Sequence, residues 1–99
     1  MTSLTQTGNT FFLPADSSLV VVSELSASLA QGFSRLAGSP AELNCGKASK
    51  VDSATVSLLL HAKRLAQQNN IQLKISSPPD ALLQLMALYH VGEILSLET

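Results

Sequence analysis

This chain of 99 residues has one cysteine, no tryptophan, four aromatic residues in all and little charge of either sign. Each shortage removes a class of function. A single cysteine, Cys45, excludes an internal disulfide and any cysteine-built metal site. It reads as a small buried apolar side chain and fits a reducing cytoplasm, the expected location. So few aromatic rings offer no platform for stacking bases. The formal net charge of −1 gives no electrostatic footprint for nucleic acid, and no nucleic-acid partner is expected. Apolar runs are short, four residues at Leu19 to Val22, against the about 20 that span a bilayer, so no membrane insertion is expected. Met1 to Thr10 lacks a basic stretch followed by an apolar run, so no secretory leader is expected.

The chemistry-bearing patterns are missing too. The five glycines are scattered at 8, 32, 38, 46 and 92, so there is no phosphate-cradling loop. His61 and His90 fall on different helices, which gives no metal pair. No Gly-x-Ser-x-Gly elbow occurs, and the acidic residues stand apart. The expectation is a protein that is not an enzyme, with no catalytic residue, metal or cofactor.

What is present is enough apolar material, 45% of residues, for one core. Leu4 to Thr7 and Thr10 to Leu13 flank Gly8-Asn9, a hairpin signal, and Pro14 ends the second strand. Phe11, Phe12 and Leu13 are contiguous, which suggests a strand covered on both faces. From about Leu19 to Ala37, Val22, Leu25, Leu29, Phe33 and Leu36 form one helical stripe. Glu24, Ser28, Gln31 and Arg35 lie opposite, and Gly38-Ser39-Pro40 stops the helix. Ala41 to Cys45 is a short strand, Gly46 to Val51 a loop. A second helix runs from about Ser53 to Asn69, capped by Asp52 or Ser53. Ile71 to Ile75 alternates as a strand with one buried face. After the prolines of Ser76 to Asp80 a third helix extends to about His90, and Ile94 to Leu97 is a last short strand.

Strands alternating with helices predict an α/β fold: one domain over residues 1–99 with a mixed sheet of four to five strands and three to four helices. Charge is unevenly spread. The segment Lys47 to Lys74 holds five of the six basic residues and one acid, while the flanking segments are net acidic. The second helix is therefore a candidate surface for an acidic partner or a phosphate. On a helical wheel Val56, Leu58, Leu59, Ala62, Leu65 and Ala66 fill a broad apolar arc. Ser57, His61, Arg64 and Gln68 fill a narrow polar one, with Ser53 beside it and Leu60 at its edge as a contact anchor. Ser53 lies at a helix N-terminus, where unpaired N–H donors and partial positive charge favour a phosphate. Modification there would add about −1.5 to −2 charges and reverse the sign of the strip. The third helix is apolar nearly all round, interrupted only by Gln84. Either the C-terminal segment covers it or it offers a contact patch.

The run Lys50-Val51-Asp52-Ser53-Ala54-Thr55-Val56-Ser57-Leu58-Leu59-Leu60 resembles the central motif of STAS domains. That motif is a hydrophobic residue, Asp, Ser or Thr, two small residues, then an apolar helix. Thr10 to Pro14 with the helix near Leu19 resembles the N-terminal half of the MlaB-like branch. Ile71 to Ile75, Ser77-Pro78 and the leucine-rich helix resemble its C-terminal half. The resemblance implies a single STAS-like domain acting as a non-enzymatic regulatory module. In anti-sigma factor antagonists the serine matching Ser53, after the Asp matching Asp52, is phosphorylated by a serine kinase that is also the anti-sigma partner. In the MlaB-like branch the same face docks on the ATPase of a phospholipid ABC transporter. Asp52, Ser53, Ser57, Leu60, His61 and Arg64 are the expected partner-binding residues, with Ser53 the phosphorylation candidate. Two positions depart from the pattern. Thr55 stands where a glycine is usual, and Asn44 or Cys45 replaces an acidic residue on the preceding strand. A module for nucleotide or lipid, using the Lys47–Lys50 loop, is a third class of reading.

Overall fold

The computed structural model describes residues 4–89. The expected strand at Ile94 to Leu97, and His90, lie outside them. Seven elements follow in order: β1 (Thr5–Thr7), β2 (Thr10–Phe12), α1 (Val22–Arg35), β3 (Ala41–Asn44), α2 (Ser53–Gln68), β4 (Leu73–Ser76) and α3 (Asp80–Leu88). The four strands form one sheet in sequence order. β1 runs antiparallel to β2, while β2, β3 and β4 are mutually parallel. The described residues form a single small α/β domain with a mixed sheet and three helices.

The first hairpin turns where the sequence permits it. Gly8 has φ +59°, a left-handed position that suits glycine in a two-residue hairpin loop. The register then aligns Phe11 with Leu43 and Leu43 with Ile75. All three are buried on the helix-covered face together with Ala41 and Leu73. Side chains alternate along a strand, so Thr10, Phe12, Glu42, Asn44 and Lys74 share the opposite face and are half-buried or exposed.

The expectation of a strand covered on both faces is therefore corrected. Phe11 and Leu13 are buried but Phe12 is only half-buried, with the Lys47 ammonium 5.2 Å from its ring centre. Its contiguous apolar residues suggested two covered faces, yet the helices supply only one.

α1 and α2 pack against each other and onto the inner sheet face. The α1 stripe is as spaced: Leu25, Leu29 and Phe33 are buried, and Glu24, Ser28, Gln31 and Arg35 are exposed. Phe33 meets Phe11 edge to face, with ring centres 5.3 Å apart and planes at 78°. Gly32 makes this approach possible. A Cβ there would lie 2.5 Å from the Phe11 ring. α1 begins at Val22, three residues later than its apolar run suggested, because residues 18–21 form a turn closed by the Val21 N–H to the Ser18 carbonyl, 3.0 Å. β4 likewise begins at Leu73, and α3 begins at Asp80, after Pro79, and ends at Leu88. On α3, Leu82 and Met86 are buried, while Leu88 and the following Tyr89 are exposed.

Candidate functional site

The parallel strands β2, β3 and β4 all end at the same edge of the sheet, the edge at which open α/β sheets place their sites. Two loops converge there. Residues 13–21 follow β2, and residues 45–52 follow β3 and lead into α2. Backbone bonds join them. Ser49 and Lys50 N–H both donate to the Ala15 carbonyl at 2.9 Å, and Ser17 N–H donates to the Lys50 carbonyl at 2.9 Å. The Lys50 ammonium stands 4.0 Å from Asp16. Asp16 also accepts from the Ser18 hydroxyl at 2.6 Å and the Ser18 N–H at 3.0 Å. These Ser18 hydrogen bonds, with a smaller pull from Lys50, hold the Asp16 carboxyl below the usual carboxylate value.

Asp52 is the cap of α2, which resolves the two alternatives left open by the sequence. Its Oδ1 accepts from Ala54 N–H at 3.0 Å and Thr55 N–H at 3.3 Å. Its Oδ2 reaches across to the other loop and accepts from Leu19 N–H at 3.0 Å. Thr55 completes a reciprocal capping box. Its hydroxyl accepts from Asp52 N–H at 3.0 Å and donates to the Ser17 carbonyl at 2.5 Å. The threonine that stands in place of the usual glycine is thus fully buried and turned into the body of the domain. A glycine there would forfeit both bonds.

Because Asp52 satisfies the first-turn donors, the Ser53 hydroxyl has no capping duty. Ser53 is the first helical residue and is exposed. Further along the same face Ser57 and Arg64 are exposed, and Leu60 and His61 are half-buried. From Ser53 to Arg64 the strip is about 16 Å long at 1.5 Å per residue. A shallow groove lined by Leu60, Lys63, Arg64 and Gln67 lies at its far end. The opposite arc, Val56, Leu58, Leu59, Ala62 and Ala66, is buried in the core, and Leu65 is half-buried. Of the six residues singled out, five therefore sit on one accessible face. Asp52 sits beneath it as a structural tie.

The basic segment is less concentrated than its sequence suggested. Lys63 and Arg64 belong to the strip and Lys50 to the loop beside it. Lys47 lies over Phe12, and Lys74 projects from β4 on the uncovered sheet face. Strand alternation and the turn after β3 send these two away from α2. Nor do Asn44, the last residue of β3, and Cys45 after it place an acidic group by the site. Asn44 Oδ1 accepts from Gly46 N–H at 2.8 Å to shape the turn. Cys45 is fully buried, and burial pushes its thiol up to about 12.

Sequence reasoning missed one feature of this edge. Leu19 and Val20 are 71% and 80% exposed and stand beside the first turn of α2. Their place in an apolar run predicts the opening of the first helix, which begins instead at Val22. The only signal against that reading was Ser17-Ser18, which begins a turn.

A small mixed α/β sheet with helices packed on one face defines a class of fold, and comparison with known proteins agrees. The family model described as "Mlab, STAS domain" matches residues 13–97. The chain belongs to that family of STAS domains. Among solved structures it is similar to an anti-sigma-factor antagonist (STAS) domain protein from Planctomyces limnophilus, with a TM-score of 0.75 and 10% identity over 94% of this chain and 85% of that one. It is similar also to the anti-sigma factor antagonist SpoIIAA in its unphosphorylated form, with a TM-score of 0.74 and 16% identity over 94% of this chain and 84% of that one. At these identities the likeness is one of fold. No curated protein matches the chain.

Proposed function

We propose that this chain is a non-enzymatic protein-interaction module of the anti-sigma factor antagonist type, switched between partners by phosphorylation of Ser53. The observation that carries this reading is the division of labour at the start of α2. Asp52 caps the helix, which leaves the Ser53 hydroxyl exposed and uncommitted. A kinase active site requires an accessible hydroxyl, and a docked partner reads the charge placed there. A phosphate on Ser53 brings about −1.5 to −2 charges to a strip whose ionic side chains are Lys63 and Arg64. It also competes with the Asp52 carboxylate for the N–H groups of Ala54 and Thr55. Both effects remodel the face that carries Ser57, Leu60, His61 and Arg64. STAS domains with the fold of SpoIIAA support a module that works through protein partners.

The test supplies the partner kinase and ATP and looks for phosphate on Ser53 by mass spectrometry. Ser53→Asp is expected to bind the kinase at least tenfold more weakly than Ser53→Ala. Equal binding by the two variants refutes the switch.

One observation favours a second reading. The matching family model is the Mlab one, which supports a subunit that docks on the ATPase of a phospholipid transporter. That reading expects a stable complex unaffected by Ser53→Ala but lost on Leu60→Asp or Arg64→Glu.

A further inference from the structure

The far end of the α2 strip carries charge of one sign. Between Ser53 and Gln68 the helix has Lys63 and Arg64 and no acidic residue. The chain topology keeps the acids elsewhere. Each of the three helices follows a strand of the parallel set, so all three begin at the same edge of the sheet. Glu24 and Asp80 lie in the first turns of α1 and α3, Asp52 caps α2, and Asp16 lies in the loop after β2. Glu42, the remaining acid among the described residues, is on the sheet face opposite the helices. Arg64 stands about 18 Å along the helix axis from Asp52, more than twice the screening length of about 8 Å at physiological salt. Among the described residues neither Lys63 nor Arg64 enters an ion pair, whereas Lys50 is paired with Asp16.

The same end of the helix is concave. Leu60, Lys63, Arg64 and Gln67 recur at helical spacing and line a groove of about 230 Å³. That is smaller than the about 300–1,000 Å³ of sites that enclose a small molecule, so it has room for a side chain of another protein. Its polar lining is rich in donors. An ammonium and a guanidinium only donate, and the Gln67 amide supplies the one side-chain acceptor. A guanidinium fork matches the two oxygens of a carboxylate. Half-buried Leu60 gives the groove an apolar wall.

We propose that this groove receives a carboxylate side chain from an acidic segment of a protein partner, with Arg64 and Lys63 as the residues that select it. The inference rests on the docking function argued above. It adds Lys63 and Gln67 to the contact surface and states the chemistry that the partner presents there.

The experiment places photo-crosslinking benzoylphenylalanine at Ser57, at Gln68 and at Gln31 of the full chain in its native cells. Ser57 reports on the docking face, Gln68 is exposed beside the groove, and Gln31 is an exposed position on α1. Ser57 and Gln68 are expected to link to the same protein and Gln31 to none, and the peptide linked at Gln68 is expected to contain Asp or Glu. With that protein purified, the pair Lys63→Glu and Arg64→Glu is expected to weaken binding at least tenfold. Lys47→Glu, beside Phe12 on the other sheet face, is expected to leave binding unchanged. Replacing the partner's acid by Lys is expected to weaken binding to the unaltered chain and to restore it to the doubly reversed one. Such rescue also shows that the reversed chain is folded. Links from Ser57 with no effect of the reversal, or an equal effect of Lys47→Glu, overturn the groove and leave the docking face standing. Links from neither Ser57 nor Gln68 remove both. Links only to a second copy of this chain overturn the proposal, as does binding to vesicles of anionic phospholipid that the reversal abolishes while no protein is linked.

Discussion

Replacing Asp52 by alanine removes two jobs at once, and the cost separates this helix start from an ordinary one. The cap itself, two N–H bonds to Oδ1, is worth about 1 kcal/mol, within the range for such residues. The bond from Leu19 N–H to Oδ2 ties two loops together and has a charged acceptor. In a partly exposed place it adds about 1 kcal/mol. The reciprocal bond from residue 52 N–H to Thr55 is a backbone donor and survives the substitution. The expected loss is therefore about 2 kcal/mol, or a fall in melting temperature of roughly 10 °C for a domain of this size. Asp52→Asn has one oxygen to serve both sites and is expected to lose about half as much, because asparagine caps as well as aspartate. Ser53→Ala is expected to stay within about 0.5 kcal/mol, as surface changes do. Urea unfolding followed by circular dichroism measures all three at constant m-value. If Ser53→Ala costs as much as Asp52→Ala, the capping assignment is wrong, and with it the claim that the Ser53 hydroxyl is free.

Gly32→Ala pushes a Cβ to 2.5 Å from the Phe11 ring, so it should destabilise by about 1–3 kcal/mol; a neutral result in the same unfolding assay means that the ring moves freely. Cys45 is buried with its thiol raised to about 12, so iodoacetamide should leave it unmodified in the folded protein at pH 8 and alkylate it promptly in urea. The Asp16 carboxyl is lowered in the folded state, so its contribution to stability is complete above the ordinary value of 3.8 and is lost as pH falls through the lower folded value. Asp16→Asn should flatten that acid limb of the stability curve, and an unchanged limb excludes the Ser18 and Lys50 contacts as its cause.

The apolar spacing of this sequence determined most of the architecture. Leu25, Leu29 and Phe33 repeat at helical intervals, and Leu43, Leu73 and Ile75 alternate. Period alone fixes which face of each element is buried, since burial of apolar area dominates the free energy. The polar strip of α2 was legible for the same reason. It is the residue set left over when the apolar arc turns inward. The run from Leu19 to Val22 misled, because four apolar residues carry no period and the turn at Ser18 is set by contacts with residues 49–55. The choice of Asp52 over Ser53 as cap was likewise invisible, since both side chains can accept from a first turn. Only the folded loops bring Leu19 N–H to the second carboxylate oxygen. Bonds between residues 33 and 38 positions apart have no signature in local sequence. They exist because the parallel strands deliver both loops to one edge of the sheet. Local pattern decided what is buried, and chain topology decided what meets at the surface.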